Sequence, residues 1–440
     1  MNICEEQLAN RLFHELKLNS NSTYYVAYSG GLDSTVLLHA MVALQKSHGF
    51  SLIALHVNHN LHPDAKQWAA HCEQNCNTLD IECRHVVLEL ENRSESTARE
   101  ARYQWFEQQM HGSGVLLTAH HQQDRVETVL FNLMRGAGSA GLSSLRAVRP
   151  FHGAKLVRPL LICSQDDIQQ YASQNRLDWI EDPSNQELVY SRNQIRHQIL
   201  PVIQEFRPDA LQNIARAAIN LEQENSLLRE IAITDLVEVR ELPKHPLDNA
   251  HALCFEDLQY LSRARQANLV RFWLASLQLH VPTKRFLDEL LETFKNPPLG
   301  TAILQEKGCQ FRFYRGFMYV MPVLEEKQDF STINWSNIDQ PIDLYQNKIR
   351  IDATEKLREL YNSQQYGRLR LAARPQVANP KALQGHTLNL KKWLQEMGIP
   401  PWRRQALPLL TMRDSNRDLV LGPVDQQLHS DWVSLECPVA

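Results

Sequence analysis

The chain contains 440 residues, of which 43% are hydrophobic and 22% are charged, and its formal net charge is −4. This length predicts two or three domains that each bury a core, and the composition is that of a soluble globular protein. The negative charge excludes a nucleic-acid binder that is basic over its whole surface, but it is compatible with a local basic patch.

Targeting and redox signals point to a cytoplasmic protein. No apolar run approaches the ~20 residues that a membrane span needs. The first twenty residues include five charged side chains and no secretory hydrophobic segment. The eight cysteines are scattered, and no two of them form C-x-x-C. We therefore expect a reduced chain without structural zinc.

Up to about residue 200, short apolar runs alternate with segments whose apolar residues recur at helical spacing. The predicted strands are 24–28, 51–57, 82–88 and 115–119, and the predicted helices are 35–45, 64–79, 95–110 and 127–135. This alternation predicts an α/β fold with a doubly wound parallel sheet. Ligands of such sheets bind at the carboxyl ends of the strands, where Ser29–Thr35 and His120 lie.

The rest of the chain is predicted to form a mainly helical middle domain and a small mixed α+β C-terminal domain. The strand signal vanishes from Pro208 to about residue 296, three short strands follow in 301–322, and a polar stretch from about 325 is typical of a linker. The predicted domains are 1–207, which is nucleotide-binding and catalytic; 208–325, which is mainly helical; 326–355, a linker; and 356–440, which is basic.

A short segment between the first predicted strand and the first predicted helix points most directly to a chemistry. It consists of Ser29, Gly30, Gly31, Leu32, Asp33, Ser34 and Thr35. The glycines let the backbone turn sharply against a ligand, and the N–H groups of the helix start form an anion site. Asp33 would repel a phosphate unless Mg²⁺ bridged the two groups. A capped strand–helix turn is the simpler alternative, but the complete motif in this context favours a nucleotide site.

This segment resembles the PP-loop of the ATP pyrophosphatases, which split ATP between the α and β phosphates. Residues 56–65, 95–103, 116–145, 182–185, 190–201 and 390–410 resemble stretches of the tRNA(Ile)-lysidine synthetase family. The resemblance implies that the chain ligates L-lysine to the wobble cytidine of an isoleucine tRNA with a CAU anticodon. ATP and Mg²⁺ would be required. No membrane and no protein partner are implied, and a monomer and a homodimer both remain open.

The resemblance also implies roles for the side chains that follow the fourth predicted strand. His120 is expected to contact ATP or cytidine, and Asp124 and Glu127 are expected to bind metal or the amine. These three residues share one face if the helix begins near His120. Of two arginines one turn apart, Arg192 is preferred over Arg196 as the cation that neutralises pyrophosphate.

The chain departs from the family pattern inside this site. Gln123 and Arg125 stand where the family has an acidic residue and a glutamine. A degenerate tRNA-binding protein that has lost catalysis is the alternative that these changes raise. The retained Asp33, Asp124 and Glu127 argue against it.

Two metal-based alternatives are weaker. PP-loop tRNA thiolases rely on cysteines, often in C-x-x-C around an iron–sulfur cluster, which this chain lacks. His56, His59 and His62 are spaced by three but have no cysteine partner at zinc spacing. His56 and Asn58 are expected instead to shape the nucleotide pocket, and His62 stands where many family members have arginine.

Contacts to tRNA are expected in two places. Residues 365–415 contain nine Lys or Arg and two acidic residues, which gives a net charge of +7 inside a chain of −4. The residues expected to face tRNA phosphates are Lys391, Lys392, Arg403 and Arg404 in this stretch, and Arg99, Arg102 and Arg135 in the first domain. A solvated basic face and a surface ion pair between Glu95 and Arg99 are the simpler alternatives.

Overall fold

The computed structural model describes residues 8–19, 21–60, 63–88, 95–143, 145–183, 191–242, 244–245, 248–294, 303–323, 332–344, 349–363, 368–377, 380–382, 386–414, 417–425 and 430–436. The chain divides into two compact units, Met1–Leu227 and Leu228–Ala440. Within the described ranges, no helix is long and apolar enough to cross a membrane. The predictions for His62 and for residues 184–190 lie outside these ranges.

The first unit is an α/β structure. Its strands are β1 (Thr23–Ala27), β2 (Ser51–Asn58), β3 (Glu82–Val87), β4 (Val115–Leu117), β5 (Val148–Phe151) and β6 (Ala154–Val157). Its α-helices are α1 (Leu32–His48), α2 (Ala65–Thr78), α3 (Glu95–Met110), α4 (Gln122–Met134), α5 (Ser139–Leu142), α6 (Gln165–Gln174), α7 (Ser191–Gln194), α8 (Leu200–Phe206) and α9 (Ala210–Glu238), the last of which continues into the second unit. The shorter turns are π-helical at Asn10–Glu15 and Ile195–Ile199 and 3₁₀-helical at Pro159–Ile162.

These six strands form one sheet of order β3-β2-β1-β4-β6-β5. All neighbouring pairs are parallel except β5 with β6. Both faces of the sheet are buried, since Tyr24 and Val26 of β1 pack into one core cluster and Tyr25 packs into another. The predicted doubly wound parallel sheet is therefore confirmed. The antiparallel hairpin at its edge has no counterpart in the sequence prediction.

Helix α4 begins earlier than its sequence pattern predicts. It starts after His121, whose ring accepts from the backbone N–H of Gln123, while the Asp124 carboxylate accepts from the N–H of His121. His120 therefore precedes the helix and does not share a helical face with Asp124 and Glu127, which corrects the prediction. Histidine is not among the preferred N-cap residues, so the sequence carried no start signal here.

The second unit contains three antiparallel sheets. Its strands are β7 (Glu241–Leu242), β8 (His251–Cys254), β9 (Ile303–Glu306), β10 (Cys309–Tyr314), β11 (Phe317–Pro322), β12 (Ile333–Asn334), β13 (Ile342–Leu344), β14 (Ile349–Ala353), β15 (Arg368–Ala373), β16 (Pro408–Asp414), β17 (Arg417–Pro423) and β18 (Val433–Glu436). Its further helices are α10 (Phe255–Leu258), α11 (Arg263–Ser276), α12 (Lys284–Thr293), α13 (Glu355–Asn362) and α14 (Leu390–Glu396), with a 3₁₀ turn at Arg374–Gln376. The sheets have the orders β7-β8-β11-β10-β9, β12-β15-β16-β17 and β13-β14-β18.

The structure differs from the predicted mainly helical middle domain, because two strands lie where the strand signal vanished. Strand β8 pairs with β11 and extends the predicted three-stranded meander, which is itself confirmed as β9, β10 and β11. The helices α11 and α12 pack on this sheet through a shared apolar cluster that includes Trp273 and Leu290. Strand β8 has only four residues, which is too short for alternation to stand out.

The structure also differs from the predicted linker over 326–355 in the residues that it describes. Strand β12 pairs with β15, and β14 pairs with β18. Trp335 and Leu344 are buried in the same core cluster as Leu371 of β15. Strands β12, β13 and β14 have two to five residues each, which is too short for apolar alternation to distinguish the segment from a linker. The other domain boundaries stay predictions.

Candidate active site

A cavity of about 710 Å³ opens in the first unit at the carboxyl ends of β1 and β4. Its wall combines the segment after β1, one side of α3, the segment after β4 and the loop around residue 180. The polar side chains in the wall are those of Ser29, Asp33, Ser34, Arg99, Arg102, Tyr103, Thr118, His120, Gln123, Asp124, Gln165, Trp179, Glu181, Asp182, Arg196 and His197. The two regions that the sequence placed at strand ends therefore meet in one cavity.

The segment Ser29–Thr35 is held by its own hydroxyl groups. Ser34 Oγ donates to the Gly31 carbonyl at 3.0 Å and accepts from the Ser29 N–H at 3.2 Å. Gly31 is the N-cap residue of α1 and has no side chain that could accept from the helix N–H groups. The first turn of α1 can therefore bind an anionic group, as the sequence predicts for this segment.

Gly30 is required by both its backbone and its surroundings. Its φ angle is +85°, and a Cβ atom there would lie 2.5 Å from Ile180 Cδ1 and 2.7 Å from Cys72 Sγ. The Ile180 N–H donates to the Gly30 carbonyl at 2.9 Å. The loop around residue 180 thus packs directly on the segment, and only glycine leaves room for this contact.

The carboxylate of Asp33, which belongs to this segment, and that of Asp124 both lie close to the ring of His121. His121 Nε2 lies 3.8 Å from Asp33 Oδ2 and 3.6 Å from Asp124 Oδ2. Burial and the nearby Asp124 charge raise the pKa of Asp33, against the opposing effects of His121 and Arg196. Burial also opposes ionisation of Asp124, but His121, His120 and the His121 N–H outweigh it and hold the pKa of Asp124 below its usual value. Two neighbouring carboxylates disfavour ionisation, and a cation bound between them would offset that effect.

Glu127 is buried and binds Arg196. It is 1% exposed and accepts from Arg196 Nε at 2.6 Å and from Nη2 at 3.1 Å. Arg196 Nη2 also lies 3.4 Å from Asp124 Oδ1. Burial alone would lower the pKa of Arg196, but Glu127 outweighs it and raises that pKa. Arg196 lines the cavity, whereas the buried Glu127 contacts Arg196 and is not one of the lining residues.

Arg196 lies in the cavity wall, whereas the sequence favoured Arg192 as the cation of the site. Arg192 is not among the cavity-lining residues that the structure describes, although its charge is near enough to lower the pKa of His120. Arg196 lies in the π-helical turn Ile195–Ile199, a geometry common at functional sites. The turn shifts residues by one position relative to a regular helix, which spacing alone does not reveal.

The two departures from the family pattern have separate explanations. Gln123 Nε2 donates to Glu127 Oε1 at 3.2 Å, so a neutral side chain supports the carboxylate that holds Arg196. Arg125 is buried and points elsewhere, donating to the Leu145 carbonyl at 3.2 Å. The Asp33 and Asp124 carboxylates are both retained beside these two changes.

His120 is a neutral group in the cavity wall. Burial lowers its pKa to about 3, and nearby arginines act in the same direction against Asp124. Its Nδ1 lies 2.9 Å from Thr118 Oγ1. At physiological pH this ring can offer a hydrogen bond to a ligand without adding charge.

His56 and Asn58 do not line the described cavity, which differs from their predicted role in shaping the nucleotide pocket. His56 Nδ1 donates to the Tyr28 carbonyl at 3.0 Å. Asn58 Nδ2 donates to the Ala65 carbonyl at 3.0 Å and braces the turn before α2. Both side chains support the strand end, and their contact with a nucleotide stays a prediction.

The basic residues fall into exposed and buried groups. In the first unit, Arg99 and Arg102 line the cavity, and Arg135 is exposed above Phe131. In the second unit, Lys391 and Lys392 are exposed on α14.

Arg403 and Arg404 are only 1% and 8% exposed. Arg403 forms a bidentate pair with Asp248, and Arg404 donates to the Ile399 carbonyl. The prediction that these two arginines face tRNA phosphates is therefore corrected.

Sequence reasoning missed His121, the positional importance of Arg196, and Gln165, which lines the cavity and lowers the pKa of Asp33. His121 was visible only as the second of two histidines after a strand. Its role depends on where α4 begins, and the apolar spacing did not mark that point. Gln165 begins α6, more than 130 residues beyond Asp33, and no local pattern connects the two.

The fold and this site define a class of ATP-binding proteins. A nucleotide-type loop after the first strand of a parallel sheet is the PP-loop arrangement, and the model of the PP-loop domain matches residues 4–203. Models described as the TilS substrate binding domain and the TilS substrate C-terminal domain match residues 253–319 and 368–419.

Curated relatives specify the family. A tRNA(Ile)-lysidine synthase of Alkalilimnicola ehrlichii is 35% identical over 414 residues, which cover 90% of this chain and 89% of that protein. A tRNA(Ile)-lysidine synthase of Coxiella burnetii is 35% identical over 90% of this chain and 88% of that protein. One from Pseudomonas aeruginosa is 44% identical over 57% of this chain and 58% of that protein. This chain belongs to the tRNA(Ile)-lysidine synthase family.

Proposed function

We propose that this chain ligates L-lysine to the wobble cytidine of the CAU anticodon of an isoleucine tRNA in the cytoplasm. In the first step, O2 of the base attacks the α phosphorus of ATP, the bond between the α phosphorus and the bridging oxygen breaks, and pyrophosphate leaves. In the second step, the lysine ε-amine attacks C2, the C2–O2 bond breaks, AMP leaves with O2, and the amine releases a proton. The product reads AUA instead of AUG.

The observation that carries this proposal is the cavity in which the Ser29–Thr35 segment, with its Asp33 carboxylate, lies beside Asp124 and three arginines. Adenylation needs a binding site for pyrophosphate, and the N–H groups in the first turn of α1 can provide it. It also needs cations where charge develops on the leaving group, and Arg196 is already oriented by Glu127. Membership of a family of ATP-using ligases that form lysidine on tRNA(Ile) supports the same reaction.

The donor set suits Mg²⁺. Asp33 Oδ1 is buried without a hydrogen-bond partner among the described residues, and burial together with the Asp124 charge raises the pKa of Asp33. Asp33 and Asp124 would hold Mg²⁺, which neutralises phosphate charge in such sites. Glu127 was a candidate ligand as well, but behind Arg196 it serves to orient that cation.

Other residues bind and orient the substrates. His120, being neutral, offers a hydrogen bond to ATP or to cytidine. Arg99 stacks on Tyr103 in the cavity wall, with its guanidinium carbon 5.0 Å from the ring centroid, and presents a fixed cation to tRNA or ATP. Arg102 and Arg135 are proposed tRNA contacts, and Arg192 stays a proposed phosphate contact near His120.

One assay tests the proposed reaction. Unmodified isoleucine tRNA with a CAU anticodon is incubated with ATP, Mg²⁺, labelled lysine and the full chain. We expect label in the tRNA together with equimolar AMP and pyrophosphate. Tight tRNA binding without label would contradict the proposal and favour a binding protein. Methionine tRNA is the control substrate and should remain unlabelled.

The exposed lysines of α14 give a separate prediction. Replacing Lys391 and Lys392 with alanine should weaken tRNA binding and reduce the slope of log K against log salt by about 1 to 2, since each phosphate contact contributes about 0.9. Filter binding at several salt concentrations measures this slope. The matched control is Lys284→Ala, an exposed lysine outside the basic stretch. An unchanged slope in the double variant would move the tRNA surface away from α14.

A further inference from the structure

We propose that His121 is a positioning residue that holds the Asp33 and Asp124 carboxylates at the separation a divalent cation needs. This inference rests on the proposed Mg²⁺-dependent function. The two acids lie in the first turns of different helices, α1 and α4. The paired strands β1 and β4 bring these two turns together, and the His121 ring lies close to both carboxylates, where it can set the distance between them.

The tautomer of His121 is fixed by helix capping. Its Nδ1 accepts from the Gln123 N–H at 3.2 Å, so the ring proton lies on Nε2 in the neutral form. Nε2 is the atom that lies 3.8 Å from Asp33 Oδ2 and 3.6 Å from Asp124 Oδ2. One N–H group therefore lies beside both carboxylates, beyond hydrogen-bond distance, and its positive end attracts two neighbouring negative charges.

The position of the ring is fixed as well. His121 is 1% exposed, and its own N–H donates to Asp124 Oδ2 at 2.9 Å. The next residue, Gln122, donates its N–H to the Cys163 carbonyl at 3.0 Å, which ties the helix start to the chain before α6. His121 thus contacts Asp124 through both its backbone and its ring, and it reaches Asp33 through the ring alone.

Two substitutions of His121 distinguish its capping of α4 from its proposed positioning of the carboxylates. Asparagine at 121 can still cap α4 through its side-chain oxygen, but its amide is too short to reach Asp33. Glutamine is longer and can place an N–H near the His121 Nε2 position. His121→Asn should therefore preserve folding and lose positioning, whereas His121→Gln should retain much of the positioning.

The test uses the full chain, ATP and Mn²⁺ as a paramagnetic probe of the cation site. Free Mn²⁺ is followed by electron paramagnetic resonance, while thermal unfolding and tRNA binding are measured in parallel. For His121→Asn we expect roughly tenfold weaker ATP-dependent Mn²⁺ binding, from the known sensitivity of metal sites to residues that orient their ligands. The melting temperature and tRNA affinity should change little, and His121→Gln should recover most of the Mn²⁺ affinity.

The outcomes are distinct from those of the lysine-transfer assay, because Mn²⁺ binding is read without turnover. Unchanged Mn²⁺ affinity in His121→Asn would overturn the inference, as would the absence of ATP-dependent Mn²⁺ binding in the unsubstituted chain. If His121→Asn fails to fold, His121→Gln decides alone: a folded variant that binds Mn²⁺ more than tenfold more weakly would contradict the N–H geometry. A chain that binds Mn²⁺ as expected but transfers no lysine would contradict the proposed function and leave the role of His121 intact.

Discussion

Replacing Asp33 with asparagine is expected to lower the rate of lysidine formation roughly 10³-fold, the loss typical of removing a group that stabilises charge in a transition state. Asparagine keeps the size of the side chain and one oxygen, but it removes the charge that offsets a bound cation. Affinity for tRNA should be almost unchanged, because the Asp33 carboxylate is proposed to act on a bound cation, whereas tRNA phosphates are bound by cationic side chains. Single-turnover transfer of labelled lysine measures the rate, and filter binding measures the affinity.

The control for this experiment is Asp166→Asn. Asp166 is exposed in the first turn of α6, so its replacement changes the net charge equally without touching the Asp33–Asp124 pair. Raising Mg²⁺ should restore part of the Asp33→Asn rate if the residue acts through the cation. A variant with normal turnover at low Mg²⁺ would remove Asp33 from the mechanism.

The sequence predicted the fold of the first unit because its signals were local. Strands β1 and β2 are apolar runs buried on both faces, and the predicted helices had repeats long enough to recognise. The Ser29–Thr35 segment was likewise recognisable, since every residue of the motif lies within seven positions. The short strand β8 and the polar strands β12 to β14 carried no comparable signal. Their strand character depends on partners far along the chain.

The candidate site was predicted less completely, because its geometry depends on contacts across the chain. Asp33 and Asp124 were identified, but the residue between them was not, since His121 is not a usual N-cap residue. Arg196 was ranked below Arg192 because spacing does not show a π-helical turn. Which arginine meets Glu127 depends on how the turn Ile195–Ile199 packs against α4.

Charge patterning also misled at one point. Arg403 and its neighbour Arg404 looked like part of an exposed basic face, since neither is followed by an acidic residue. The partner of Arg403 is Asp248, which is 155 positions away. A cation with a distant buried partner cannot be told from a free one by local composition.

The ion pair of Arg403 and Asp248 gives the largest expected effect on stability. Asp248 Oδ2 accepts from Arg403 Nε at 2.7 Å and from Trp402 Nε1 at 2.9 Å, and Oδ1 accepts from Arg403 Nη2 at 3.2 Å and from the Ala250 N–H at 3.1 Å. The Arg403 guanidinium also lies over the Tyr319 ring at 5.5 Å. Asp248→Ala would remove the bidentate carboxylate partner of this buried cation, which should reduce the free energy of unfolding by about 3–5 kcal/mol.

Thermal unfolding followed by circular dichroism should show this loss as a melting temperature lower by about 10 °C for the transition of the second unit. Pairing Asp248→Ala with Arg403→Met removes both charges and should recover part of the stability, because the buried cation that lost its carboxylate is then removed as well.

The same variants distinguish a structural arginine from one that binds tRNA. A phosphate contact at Arg403 would reduce the slope of log K against log salt by about 1 in the double variant. Since Arg403 is 1% exposed, we expect that slope to equal that of the unsubstituted chain at a temperature where both are folded. A reduced slope with an unchanged melting temperature would return Arg403 to the tRNA surface and contradict the buried pair.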